Sequence, residues 1–175
     1  MLYKDIPCDN FENINNEILK YLEYSNVIEQ STNFWNTLNT KEILLACPLF
    51  LLWTQQNNFK IYSVAAAICK DTIQLPRPHI DTPPARFKLS WPVLNYSNTC
   101  NRWFQDPTGH ADKIVNRMGG ISYTNASQLI TIDQRLTTSP GLIDAGTPHD
   151  VFYLSEPVFP RVVLQVQLRN EPSTL

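Results

Sequence analysis

The stretch Pro78-His79-Ile80-Asp81, followed closely by Arg86-Phe87-Lys88-Leu89-Ser90-Trp91-Pro92-Val93-Leu94, decides how this chain is read. In the second segment Phe87, Leu89, Trp91 and Val93 fall on one face and Lys88 and Ser90 on the other, the two-residue period of a strand. A strand with an apolar outside and a polar inside suits a barrel that holds a polar ligand. Before it, a histidine and a carboxylate stand two residues apart, where both can bend toward one metal ion. Pro76 and Pro78 force an extended approach to His79, because a residue preceding proline is pushed out of the helical region.

His79 and Asp81 supply two ligands of a 2-His-1-carboxylate site, which holds Fe(II) by one face and leaves the opposite positions open. The third is expected at His149, in Asp144-Ala145-Gly146-Thr147-Pro148-His149-Asp150-Val151-Phe152, where small and turn-forming residues precede a histidine that opens an apolar run. With three histidines in the chain, the alternatives are few. His110-Ala111-Asp112 repeats the His-x-Asp pattern, but in a Gly- and Pro-punctuated loop with no alternating strand after it. A three-histidine site of His79, His110 and His149 is the other arrangement the sequence allows.

Working outward, residues 11–24 place Ile14, Ile18, Tyr21 and Leu22 at helical spacing behind Asp9 and Asn10. Thr40 and Glu42 open a second, mostly buried helix through residues 43–53, broken or kinked at Pro48. From residue 59 onward the texture is that of strands: 59–69, 87–94, 99–104, 121–124, 128–133 and 161–169. In the last of these Val162, Leu164, Val166 and Leu168 alternate with Arg161, Val163, Gln165 and Gln167. Residues 105–120 read as a long loop or a pair of short elements. The expected fold is α+β in a single domain, 1–175. A mainly helical layer, 1–58, packs on one sheet of a double-stranded β-helix (a cupin-like jelly roll), 59–170, with a tail at 171–175.

Composition narrows the function classes. Hydrophobic residues make up 43% and charged residues 17% of 175, and the net charge is −2, so no basic stripe argues for nucleic acid. Cys8, Cys47, Cys69 and Cys100 are too far apart for a zinc ribbon or dithiol motif and read as free thiols. The first ten residues lack the basic and apolar regions of a secretory signal, and the apolar run 43–53 is too short to span a bilayer. The expectation is a cytoplasmic protein without a membrane or nucleic-acid partner.

His79-Ile80-Asp81, the segment 86–93, the segment 144–152 and Arg161-Val162-Val163-Leu164-Gln165-Val166-Gln167-Leu168 together resemble the 2-oxoglutarate and Fe(II)-dependent oxygenases, in particular the aspartyl/asparaginyl β-hydroxylase-like branch. The resemblance covers about 61–170. It implies His79, Asp81 and His149 as iron ligands, and Arg161 as the partner of the distal carboxylate of 2-oxoglutarate, a co-substrate that a planar guanidinium grips with two hydrogen bonds. It further implies that Lys88 and Ser90 contact the co-substrate from the cavity face, although lysine offers a point charge and could equally pair with an acidic neighbour. The implied activity is a dioxygenase that uses O2 to hydroxylate an amino acid, a peptide side chain or a small metabolite. A non-oxygenase cupin-like protein that binds a small ligand or another metal is the alternative. Residues 31–38 and 105–120 are the segments expected to border the entrance, and Trp91 and Trp103 are expected in the core.

Overall fold

Helix α1, Phe11–Tyr24, buries Ile14, Ile18 and Leu22 along one face, as its spacing predicts. Its one buried polar residue, Asn15, is satisfied from both ends: the amide donates to the Val93 carbonyl at 3.0 Å and accepts from the Trp91 indole at 3.1 Å. These two bonds set the helix against the strand that contains Lys88. After a short helix α2, Val27–Gln30, the apolar run forms two helices, α3 at Thr40–Ala46 and α4 at Pro48–Gln56. Asn39 caps α3 by accepting from the Glu42 amide. Pro48 starts α4 because a first-turn position needs no N–H donor.

The amides that Pro48 leaves at the head of α4 are met from another helix: the Glu17 carboxylate of α1 accepts from Leu49 at 3.0 Å and Phe50 at 3.4 Å. Such a cap contributes about 1 kcal/mol. Glu17→Ala is therefore expected to lower the thermal midpoint by about 2–4 °C for a chain of this size, with Glu17→Gln intermediate, as read by circular dichroism.

The computed structural model describes residues 1–72, 75–81 and 87–169; Arg86 and the expected tail at 171–175 lie outside the described residues. Two antiparallel six-stranded sheets make up the rest. The strands are β1 Tyr3–Asp5, β2 Trp35–Leu38, β3 Ile61–Cys69, β4 His79–Ile80, β5 Phe87–Leu94, β6 Thr99–Gln105, β7 Lys113–Val115, β8 Ile121–Tyr123, β9 Ile130–Leu136, β10 Gly141–Asp144, β11 His149–Tyr153 and β12 Arg161–Leu168. The first sheet runs β1-β10-β5-β12-β3-β2 and the second β7-β8-β4-β11-β6-β9. Within them the pairings nest: β3 with β12, β4 with β11, β5 with β10, β6 with β9.

The first sheet separates the core from the cavity. Leu89, Trp91, Val93, Val162, Leu164 and Val166 point outward into a core completed by Ile14, Ile18, Leu22, Ile43, Phe50 and Trp53 of the helices. The alternate residues of the same strands face the second sheet. Among the described residues no helix is long and apolar enough to cross a membrane, and all four cysteines are free.

Several expectations need correction. The first 58 residues are mainly helical, as expected, but they also contribute β1 and β2, which extend the first sheet on opposite edges. Both are short, and β2 is surrounded by Asn33, Asn36 and Asn39, so locally it reads as a turn; its order comes from pairing with β3. The strand expected at 128–133 begins at Ile130 and runs to Leu136, after a 3-10 turn at Ala126–Gln128. Residues 105–120 do not border the cavity. Ala111 joins Phe104, Tyr123 and Leu129 in a second, smaller apolar cluster beside the second sheet.

Candidate metal centre and anion pocket

His79 and His149 are direct cross-strand partners, the residues that pair β4 with β11, and their rings lie 4.4 Å apart. Local turns aim them. The Asp144 carboxylate accepts from the Gly146 amide at 2.9 Å and the Thr147 hydroxyl at 3.3 Å, which folds the turn leading into His149. The same turn holds the third residue, for the Asp81 amide donates to the Ala145 carbonyl at 3.0 Å. One tight turn thus positions both a histidine and a carboxylate that are 68 residues apart in sequence.

The tautomers follow from the partners. His79 Nδ1 lies 2.8 Å from the Arg77 carbonyl and His149 Nδ1 lies 2.9 Å from the Thr147 carbonyl. A carbonyl can only accept, so both Nδ1 atoms carry hydrogen, and in the neutral rings both Nε2 atoms present lone pairs. This is the outer-shell arrangement that orients metal-ligating histidines. The ligand atoms of His79, Asp81 and His149 all lie within 4.8 Å of one another.

His79 Nε2 and Asp81 Oδ1 are 3.2 Å apart. Two lone pairs at that distance require a cation between them, either a proton on His79 or a metal ion. Metal bonds of about 2.1 Å meeting near a right angle separate two ligand atoms by about 3 Å, so the His79–Asp81 pair is spaced as two ligands of one divalent ion.

A second cation stands beside the triad. Lys88, buried on the cavity face of β5, donates to Asp81 Oδ2 at 2.6 Å, and its Nζ lies 3.4 Å from His149 Nε2. Burial works to raise the Asp81 pKa, but the Lys88 charge and the hydrogen bond from His79 outweigh it and hold the carboxyl well below the usual carboxylate range. His149 is pulled the other way for a histidine: burial first, then the positive charges of Lys88 and His79, lower its pKa to about 3.

These shifts fix a sign for acid stability. An unfolded histidine takes a proton near pH 6.5 while folded His149 resists until about 3, so in that window the unfolded chain binds more protons and stability falls as pH drops. Asp81 adds to the loss below about pH 4, because its folded pKa is depressed. In chelator-treated protein the denaturation free energy at pH 5 is expected to be about 2 kcal/mol lower than at pH 7.5. That difference should shrink in His149→Phe; urea titrations at the two pH values check both.

Away from the triad, the sheets enclose a cavity of about 300 Å³. On the β3 side Ala67 lines it, and the residues on the same face of that strand, Ser63 and Ala65, are also small and lie in register with Gln167 and Gln165 of β12. Phe34 and the half-exposed Trp35 from β2 and its approach form one wall, which bears out 31–38 as a border of the site. Arg161 lines the cavity yet is only 2% exposed, and its Nε has no hydrogen-bond partner. Among the described residues no carboxylate pairs with its guanidinium, and burial lowers its pKa from the ordinary arginine value. Gln165 Oε1 is likewise buried without a donor, while its Nε2 donates to the Ser90 hydroxyl at 3.1 Å.

The structure therefore brings together His79, Asp81 and His149, places Lys88 and Ser90 on the cavity face, and puts Arg161 in the same cavity. His110 is exposed and outside the cluster, so neither the His110-Ala111-Asp112 pair nor a three-histidine site is assembled. Trp91 and Trp103 are fully buried, as expected. Asn101 lines the cavity and was not singled out by the sequence. Neither a protein-family model nor a curated protein sequence matches the chain.

Proposed function

We propose that the protein is an Fe(II)- and 2-oxoglutarate-dependent dioxygenase with a cupin-type jelly-roll core, acting on an amino acid, a peptide side chain or a small metabolite. The nested pairings β3–β12, β4–β11, β5–β10 and β6–β9, split between two sheets, are those of a double-stranded β-helix, and they support that core. One observation carries the co-substrate: a buried arginine without an anionic partner shares a cavity with a 2-His-1-carboxylate cluster. An unpaired buried charge is costly, and the anion that relieves it must be a ligand. A dicarboxylate with one end at the triad and the other at Arg161 supplies that charge.

His79, Asp81 and His149 would hold the metal through two Nε2 atoms and Oδ1. Lys88 keeps Asp81 Oδ2 occupied, so the carboxylate offers one oxygen toward the triad. Arg161 would neutralise the distal carboxylate, and Gln165, anchored to Ser90, offers the cavity an unpaired acceptor. The enclosing sheets limit water around the ligands, which strengthens every charge interaction there. When bound, iron with 2-oxoglutarate and O2 supplies the oxidising chemistry, releasing succinate and CO2.

The engagement of Lys88 by Asp81, instead of by an open face of the cavity, favours the second reading, a cupin-like metal or small-ligand binder without oxygenase activity. Anaerobic titration with Fe(II) and then 2-oxoglutarate separates the two. The visible charge-transfer band of a chelated 2-oxo acid is expected for the oxygenase; iron binding without that band leaves the binder as the account of the site.

A further inference from the structure

Two of the three candidate ligands already face a cation that belongs to the chain. The buried Lys88 ammonium donates to Asp81 Oδ2 at 2.6 Å and lies 3.4 Å from His149 Nε2. With hydrogen on Nδ1, His149 Nε2 has a lone pair to offer, and an ammonium is all donor. Lys88 therefore does for Asp81 and His149 what a divalent ion would do. On the neighbouring strand β12, Gln167 is in register with Lys88 and Gln165 with Ser90, and both glutamines line the cavity. Gln167 Oε1 accepts from the Ser63 hydroxyl at 2.6 Å, whereas Gln165 Oε1 is buried with no donor. The Gln165 amide is held in place by its bond to the Ser90 hydroxyl.

A buried acceptor without a donor, diagonal to a lysine that touches two candidate metal ligands, gives that lysine a second place to go. We propose that Lys88 is a two-position cation that sets the metal affinity of the triad: when a divalent ion takes His149 Nε2, the ammonium exchanges that contact for Gln165 Oε1 and keeps its hold on Asp81. The proposal rests on the reading of His79, Asp81 and His149 as metal ligands and needs nothing of the co-substrate. Before metal arrives, Lys88 compensates the buried Asp81 charge. Afterwards two like charges share a buried site, where they repel strongly, so the lysine weakens metal binding and Gln165 limits the loss. Lys88 and Gln165 are positioning residues, since each acts on the metal through the ligands.

The test is calorimetric titration of chelator-treated protein with Mn(II), alongside thermal denaturation. In Lys88→Met the Mn(II) affinity is expected to rise about tenfold or more, the ammonium being gone. The thermal midpoint without metal should fall, because Asp81 loses its buried counter-charge. A lysine that merely orients Asp81 would give the opposite sign for the metal. Gln165→Leu leaves every ligand and the Lys88–Asp81 contact in place, and the affinity is expected to fall about fivefold, the worth of one hydrogen bond. In the Lys88→Met background the same substitution should have no effect, since the two residues act as a pair.

Weaker Mn(II) binding in Lys88→Met than in wild type overturns the proposal and leaves the triad standing as the metal site. So does an equal effect of Gln165→Leu in the two backgrounds. If Lys88→Met does not fold without metal, Gln165→Leu decides, and a wild-type affinity there removes the second position of the lysine. Wild-type protein that binds no Mn(II) refutes the triad and the proposal together.

Discussion

Arg161→Met should make the protein more stable to heat while destroying the proposed hold on 2-oxoglutarate. The guanidinium is buried without a carboxylate partner among the described residues, and burial already depresses its pKa. Replacing such a charge with an apolar side chain of similar length removes an unreturned desolvation cost; buried charges exchanged for hydrophobic residues commonly yield 1–4 kcal/mol. A gain of about 2 kcal/mol corresponds to roughly 4–8 °C in the thermal midpoint of a chain this size. The same substitution removes the planar donor that would pair with the distal carboxylate, and a loss of at least about a hundredfold in affinity is expected. Arg161→Lys should recover only part of it, because an ammonium is a point charge on a flexible stem. Thermal denaturation and calorimetry on the same preparations check the two signs together. A destabilised Arg161→Met would mean that the guanidinium already serves the fold, and the ligand argument built on its isolation would not hold.

His149→Ala should abolish divalent-metal binding while His110→Ala leaves it untouched. His149 is almost fully buried, its Nδ1 is engaged by the Thr147 carbonyl, and its Nε2 lies within the triad. Removing it takes away one of three ligands and leaves His79 and Asp81 as a pair, beside a lysine that competes for the carboxylate. Mn(II) affinity is expected to fall at least about a hundredfold, measured by electron paramagnetic resonance of the free ion. His110 sits on an exposed loop outside the cluster, so its replacement is the matched control. Equal losses in the two variants would move the metal to another set of ligands.

Much of the site was legible before any coordinate. The two-residue period of 87–94 separated Lys88 and Ser90 from the apolar face, and the same period in 161–168 placed Arg161 with Gln165 and Gln167. Both predictions hold because a strand's alternation is a local property that burial of one face enforces. The helix at Phe11–Tyr24 was readable for the same reason at a different period. Edge strands were not: β1 and β2 carry no strong pattern, and their extended form is imposed by the neighbours that hydrogen-bond to them.

What the sequence by itself determined is which residue types lie on which face of the long strands β5 and β12, and hence the candidate cation Arg161, while the His-x-Asp pattern and the turn before His149 marked the candidate ligands His79, Asp81 and His149. The tertiary structure alone decided that these faces meet. The pairing of His79 with His149 and the tie between Asp81 and the Ala145 carbonyl join segments distant in the chain, and the seclusion of Arg161 depends on the closing of both sheets. Periodicity cannot encode such contacts, because it describes each segment against its own axis, whereas a site depends on the register between segments and on which partner is left over once the sheets have closed.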